Sequence, residues 1–189
     1  MLATATRLRH FGNMIDAPRS HLLLIDFQMR LMPAIHGGAG VTARAGRLLK
    51  GARLMDVPCS HTEQIPEKLG HTVPDVAPGP GEAVLAKTRF DAGPETGLAT
   101  RIAAGDTIVV AGCEAHVCVL QTVLGLLGAG REVAVVADAT GSRAPADREA
   151  ALARMARAGA WIVTTEMVIF EWLGGAAHPR FREVMALIK

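Results

Sequence analysis

The sequence has few of the residues that mark nucleic-acid-binding and membrane proteins. Only 4% of its 189 residues are aromatic and none is tyrosine, which argues against a surface that stacks the bases of single-stranded nucleic acid. Charged residues make up 20% of the chain and the formal net charge is +2, so charge gives no reason to expect an acidic partner. The longest apolar run near the start, at 22–25, ends at Asp26 and is far too short to span a bilayer. We therefore expect neither nucleic acid nor a membrane as a partner.

Cysteine is also scarce. Cys59, Cys113 and Cys118 cannot all pair with one another, and we interpret them as free thiols of a cytoplasmic protein. Residues 1–19 lack the apolar core of a secretory signal and are interpreted as an N-terminal extension. The remaining residues, 20–189, fit a single domain of ordinary size.

Short apolar runs alternate with longer stretches of helical period, a pattern typical of βαβ units and a parallel sheet. The predicted strands cover 21–26, 53–59, 83–87, 107–112, 132–137 and 160–164. The predicted helices cover 41–51, 96–103, 118–129, 146–158, 165–173 and 179–188. The fold class is therefore α/β.

Three reactive side chains stand at or just after the carboxyl ends of predicted strands. Asp26 ends the first strand, Lys87 ends the third, and Cys118 follows the fourth through a glycine. Ligands of open parallel sheets bind outside these strand ends, so we expect the three groups to share one cleft. Taken singly, the aspartate could instead cap a turn and the lysine could be a solvated surface group.

A cysteine nucleophile needs a base, a positive charge and donors for an oxyanion. Asp26 can be the base, Lys87 can supply the charge, and backbone N–H groups between Gly112 and Cys118 can supply the donors. Unpaired N–H groups and a helix dipole near Cys118 also favour the thiolate. A flavodoxin-like nucleotide site is disfavoured because no glycine-rich phosphate loop follows the first strand.

Several segments resemble one known family. Residues 112–122, Gly-Cys-Glu-Ala-His-Val-Cys-Val-Leu-Gln-Thr, resemble the nucleophile motif of isochorismatase-like cysteine hydrolases. Residues 23–28 and 87–90 resemble the aspartate and lysine motifs of that family, and the likeness extends through 62–66 and 136–143 to 178–179. It covers nearly the whole chain from about Ser20, and the nearest subgroup is the isochorismatase domain-containing and YcaC-like hydrolases.

The resemblance implies a three-layer α/β/α fold with a six-stranded parallel sheet in the order 3-2-1-4-5-6. It implies that Cys118 attacks a carbonyl carbon, Asp26 carries the proton and Lys87 steadies the charged pair. It also implies a non-proline cis peptide at Cys113-Glu114, with the N–H groups of Glu114 and Cys118 forming the oxyanion hole. Members of the family commonly form homo-oligomers.

The sequence departs from the zinc-dependent members of this family. They carry an Asp-x-His pair and a further histidine after the second strand, whereas this chain has only His61 there, and zinc needs at least three protein ligands. We expect no metal and no cofactor, and the retained Cys118 favours hydrolysis of a small amide, imide or related C–N substrate. The alternative is a catalytically quiet protein that keeps the fold as an interaction scaffold.

Four further side chains are assigned to the substrate pocket: Gln28, Gln64, Phe90 and His116. The two glutamines could act as amide donors or could hydrogen-bond to loop backbone instead. His116 could be a second base, but packing beside the nucleophile turn is the alternative.

Overall fold

The computed structural model describes residues 14–189, and a parallel sheet of six strands forms its centre. The strands are β1 (Ser20–Ile25), β2 (Cys59–Gln64), β3 (Ala83–Lys87), β4 (Thr107–Cys113), β5 (Glu132–Gly141) and β6 (Trp161–Val163). Every hydrogen-bonded pair of strands is parallel, and their order across the sheet is β3-β2-β1-β4-β5-β6. The predicted fold class and strand order are confirmed.

Helices cover both faces of the sheet. Within residues 14–189 the α-helices are α1 (Gly38–Leu54), α2 (Pro66–Leu69), α3 (Gly93–Thr96), α4 (Leu98–Arg101), α5 (Leu120–Gly128), α6 (Pro145–Arg157), α7 (Thr165–Leu173) and α8 (Phe181–Ile188). The segment predicted as one helix over 96–103 is divided at Gly97, whose φ of 66° places it in the left-handed region. None of the helices described is long and apolar enough to cross a membrane.

Alternate residues of the strands pack into two separate hydrophobic cores, one on each face of the sheet. Leu22 and Leu24 of β1 pack in the core beneath α1, α7 and α8, whereas Leu23 and Ile25 face the core beneath α4, α5 and α6. This alternation follows from the two-residue period of a strand, and both faces are apolar because both are covered.

The second strand is the clearest error of the sequence prediction. The predicted strand 53–59 begins inside α1, and the true strand β2 begins only at Cys59. The apolar residues Leu54, Met55 and Val57 suggested a strand, but they end the helix and form the turn after it. β2 itself reads Cys-Ser-His-Thr-Glu-Gln, and all six residues are buried.

The predicted boundary between the extension and the domain stays a prediction. Residues 1–13 lie outside the described part of the chain. Ile15 and Ala17, which precede β1, are buried in the core on the α1 side. The Ile15 N–H donates to the Glu171 carboxylate of α7 over 2.6 Å.

Candidate active site

Asp26 follows β1 directly and is completely buried. Its φ of 54° lies in the left-handed region, which is uncommon for a residue other than glycine. The Asp26 N–H donates to the Thr62 carbonyl oxygen over 3.1 Å, and the Asp26 carbonyl accepts from the Gln28 N–H over 2.9 Å. The backbone of this turn therefore fixes the carboxylate at the carboxyl end of the sheet.

Lys87 ends β3 and reaches across the end of β2 to this carboxylate. Its Nζ lies 2.7 Å from Asp26 Oδ2, and both side chains are fully buried. The same Nζ donates to Gln64 Oε1 over 2.6 Å. A buried ion pair is stable only when its remaining hydrogen-bonding capacity is met, and Gln64 supplies one of these bonds.

Thr62 supplies another of these bonds, a role that is not predicted from its sequence context. Its Oγ1 donates to Asp26 Oδ1 over 2.6 Å. Thr62 is buried near the end of β2, which lies between β1 and β3. A signal was present in the sequence, because Thr62 belongs to the Thr-Glu-Gln segment that resembles the family. Polar residues in a buried strand need hydrogen-bonding partners elsewhere in the chain.

Cys118 lies on a wide turn between β4 and α5. Residues Ala115–Val119 form a single π-helical turn, a geometry that is frequent at functional sites. The thiol is buried, with 6% of the residue exposed. The charges of Asp26 and Lys87 both act on the pKa of this thiol, so the structure brings together the three residues predicted to share one cleft.

The surroundings of Cys118 act on the pKa of its thiol in opposite directions. Burial, together with the charge of Asp26, raises the pKa of the Cys118 thiol to about 12, and the opposing charge of Lys87 does not offset this. Burial therefore opposes the effect of the backbone N–H groups and the helix dipole that are predicted to favour the thiolate. A thiol whose pKa is raised in this way needs a nearby base to take its proton during attack.

The peptide bond between Cys113 and Glu114 is cis. The Glu114 carboxylate accepts two hydrogen bonds from Arg143. One comes from the backbone N–H at 3.0 Å and the other from Nε at 2.9 Å. The backbone N–H of Glu114 has no acceptor among residues 14–189. His116 Nδ1 lies 3.0 Å from Ser142 Oγ, so the loop after β5 contacts the nucleophile turn at two adjacent positions.

The two glutamines assigned to the substrate pocket are engaged by the protein itself. Gln28 is fully buried and bonds only backbone, donating to the carbonyls of Gln64 and Gly70 and accepting from the Gln64 N–H. Gln64 accepts from Lys87 and donates to the Thr88 carbonyl over 2.7 Å. For Gln28, the structure therefore agrees with the alternative, a loop-backbone role.

Phe90 and His116 are the more accessible members of the predicted pocket. Phe90 is 48% exposed on the loop after Lys87. Glu95 holds the start of this loop by accepting from the N–H groups of Thr88 and Arg89, both over 2.9 Å. The His116 side chain is 25% exposed, and its Nε2 lies 3.8 Å from Asp147 Oδ2.

The side chains that commonly bind metal ions do not cluster in the described part of the chain. Residues 14–189 contain no group of three or more histidine, cysteine, aspartate or glutamate side chains placed to hold an ion. His61 Nε2 lies 3.0 Å from Glu82 Oε2, and its side chain is 1% exposed.

Comparison with known proteins shows the family of this chain. A model of the isochorismatase domain matches residues 20–167. The chain belongs to the isochorismatase family. It is 39% identical over 180 residues to isochorismatase domain-containing protein 1 of Salmo salar, a match that covers 94% of this chain and 63% of that protein. It is 41% identical over 172 residues to isochorismatase domain-containing protein 2 of Homo sapiens, covering 90% of this chain and 83% of that protein.

Solved structures of other proteins share the fold. A Caenorhabditis elegans protein described as MAR1 ribonuclease superposes with a TM-score of 0.87 at 36% identity, covering 93% of this chain and 92% of that chain. Escherichia coli YcaC, described as an octameric hydrolase of unknown specificity, has a TM-score of 0.80 at 24% identity, covering 93% of this chain and 96% of that chain. At 24% identity, the likeness to YcaC shows the shared fold alone.

Proposed function

We propose that this protein is a metal-independent cysteine hydrolase that cleaves a C–N bond in a small amide, imide or related substrate. The observation that carries the proposal is the buried Asp26–Lys87 ion pair acting on the Cys118 thiol at the carboxyl end of the sheet. A buried carboxylate beside a buried thiol can take the thiol proton at the moment of attack. Lys87 keeps a positive charge beside both groups throughout.

In the first step, Cys118 Sγ bonds to the substrate carbonyl carbon while Asp26 takes the thiol proton. The negative charge that develops on the substrate oxygen is met by the N–H groups of Glu114 and Cys118. The C–N bond then breaks, and Asp26 returns the proton to the leaving nitrogen. The products of this step are an amine and a thioester on Cys118.

In the second step, water attacks the thioester carbon and Asp26 takes a proton from that water. The C–S bond breaks, the acid leaves, and the proton returns from Asp26 to the Cys118 sulfur. The cycle consumes one water and restores both groups. Amides and imides have a leaving nitrogen that must be protonated. Asp26 can protonate it because it has just taken the proton of the Cys118 thiol.

The proposal is tested by a turnover screen over small amides, imides, ureides and carbamates. The wild-type protein is compared with Cys118→Ala and with Cys59→Ala, a matched control because Cys59 is also a buried free thiol. We expect turnover in the wild type and in Cys59→Ala, and loss of at least about 1,000-fold in Cys118→Ala because the nucleophile is gone. Full activity in Cys118→Ala contradicts the proposal.

The alternative function, an interaction scaffold without catalysis, is favoured by one observation. Cys118 has only 6% of its surface exposed and its pKa is raised to about 12, features that inert buried cysteines share. A protein that turns over no member of the screen, while binding a partner equally well with Cys118 and with Cys118→Ala, supports the scaffold.

RNA is added to the screen because the Caenorhabditis elegans relative is described as a ribonuclease. Low aromatic content and a net charge of +2 argue against RNA as the substrate of this chain. RNA cleavage that persists in Cys118→Ala would contradict the cysteine mechanism.

We further propose a cytoplasmic homo-oligomer. The three free thiols support a reducing compartment. Met167 and Phe170, one turn apart on α7, are 47% and 42% exposed and support a subunit contact. Light scattering after size exclusion tests the oligomer, and a monomer at micromolar concentration contradicts it.

A further inference from the structure

The end of β2 carries two polar side chains that reach the active site from one face. Thr62 and Gln64 are two residues apart, so their side chains point to the same side of the strand. Thr62 bonds to Asp26, and Gln64 bonds to Lys87. Each member of the buried ion pair therefore has its own support on the strand that lies between β1 and β3.

Thr62 holds Asp26 at two points. Its carbonyl accepts from the Asp26 N–H over 3.1 Å, and its hydroxyl donates to Asp26 Oδ1 over 2.6 Å. The first bond belongs to the backbone and continues the pairing of Ile25 with Thr62. The second depends on the side chain alone, so the hydroxyl can be removed without breaking the strand pairing.

The two oxygens of the carboxylate are held by different groups. Oδ2 is held by Lys87 and Oδ1 by Thr62, and these bonds together fix the rotation of the carboxylate about its own axis. The rotation matters because a base must face the proton that it takes within hydrogen-bonding distance. Lys87 alone leaves the carboxylate free to turn about a single contact.

We propose that Thr62 and Gln64 are positioning residues: Thr62 fixes the carboxylate of Asp26 and Gln64 fixes the ammonium of Lys87 in the orientation that serves Cys118. The inference deepens the proposed function and rests on it. It assigns Gln64 to the support of the ion pair, where the sequence assigned it to the substrate pocket. Neither residue is assigned a contact with the Cys118 sulfur or with the substrate; both act through the Asp26–Lys87 pair.

The test removes the Thr62 hydroxyl without changing the shape of the side chain. Thr62→Val is compared with Thr62→Ser, which restores the hydroxyl, and with Thr165→Val as a matched control. Thr165 is also a buried threonine whose hydroxyl donates to a carboxylate, that of Asp138 over 2.9 Å, but it lies beyond the edge strand β6. Two readouts are used: kcat and KM for the best substrate of the screen, and the rate at which iodoacetamide alkylates Cys118 at pH 9, followed by peptide mass.

We expect Thr62→Val to lower kcat and the alkylation rate by about 10-fold to 100-fold, because a base displaced by about 1 Å loses that much. KM should change less than about twofold, since positioning acts on the transition state. In Thr62→Ser, kcat and the alkylation rate should lie within about threefold of the wild-type values. In Thr165→Val, both should equal the wild-type values. A folded Thr62→Val protein with wild-type kcat and alkylation rate overturns the proposal.

A second variant keeps the test decisive if Thr62→Val does not fold. Gln64→Met retains side-chain length but cannot bond to Lys87, and we expect the same fall in alkylation rate. Wild-type rates in Gln64→Met overturn the assignment for that residue. The proposed function fails separately, by full turnover in Cys118→Ala, whatever the Thr62 and Gln64 variants do.

Discussion

Gly112 lies so close to Ile25 that no side chain fits between them. The two residues are partners in the pairing of β4 with β1, and a Cβ on Gly112 would clash with the Ile25 carbonyl oxygen and lie 2.7 Å from the Ile25 Cβ. Gly112 also has a φ of 152°, which side-chain-bearing residues rarely adopt. Asp26 follows Ile25 directly, so the close approach sets the position of the base.

Replacing Gly112 with alanine should therefore damage both stability and the site. We expect Gly112→Ala to lower the free energy of unfolding by about 2 kcal/mol or more, from overpacking and backbone strain, and to reduce turnover at least tenfold. Urea denaturation and the turnover assay check this. Gly128→Ala is the matched control, because a Cβ there meets nothing within 4 Å. A Gly112→Ala protein as stable as the Gly128→Ala protein would show that the clash is relieved elsewhere.

The Asp26–Lys87 pair should show strong coupling in stability. Lys87→Met leaves a fully buried carboxylate without its charge partner, and we expect the free energy of unfolding to fall by about 3–5 kcal/mol. Adding Asp26→Asn removes the unpaired charge, so the double variant should regain part of this loss. Denaturant unfolding of both single variants and the double variant measures the coupling. A double variant that loses the sum of the two single losses would mean that the pair is not coupled.

Alkylation of Cys118 should be slow, as expected for a thiol of high pKa. Burial and the charge of Asp26 raise the pKa of Cys118 to about 12, so only a small fraction of the thiol is ionised between pH 7 and pH 9. We expect iodoacetamide to modify Cys118 at least about tenfold more slowly in the folded protein than in the chain unfolded in urea, because an unperturbed thiol has a pKa of about 8.5. A folded-state rate equal to or above the unfolded-state rate at pH 7 would indicate a lowered pKa.

His21 should make stability depend on pH in a defined window. Burial lowers the pKa of His21 from 6.5 to about 4, against a smaller opposing effect of the Asp106 charge. The unfolded chain therefore takes up a proton at a higher pH than the folded chain does, and stability falls as the pH drops from 6.5 to 4. In His21→Gln this part of the pH dependence should disappear. Unfolding free energies measured at pH 7, 5.5 and 4.5 check this, and equal slopes in both proteins would contradict it.

The sequence was sufficient to predict the fold class and the meeting of Asp26, Lys87 and Cys118. Parallel strands place their carboxyl ends at one edge, so residues that end such strands converge even when they are far apart in the chain. The apolar residues of β1 and β4 made those strands easy to recognise.

The location of β2 could not be predicted in the same way. Its residues His61, Thr62, Glu63 and Gln64 are polar, and no local pattern distinguishes them from a surface loop. They are buried because distant groups satisfy them: Glu63, for example, accepts from the N–H and the hydroxyl of Thr72. The role of Thr62 depends on such a long-range partner, which propensity and periodicity do not report.

The π-helical turn Ala115–Val119 makes the placement of the nucleophile a matter of segment length as well as residue identity. A π-helical turn closes its hydrogen bonds over five residues instead of the four of an α-helix, so the direction of Cys118 depends on how many residues this turn contains. A protein lacking Val117 would keep its cysteine but lose the turn that places it beside Asp26. Transplanting this chemistry to another α/β scaffold therefore requires copying the spacing from Gly112 to Leu120, not only the cysteine.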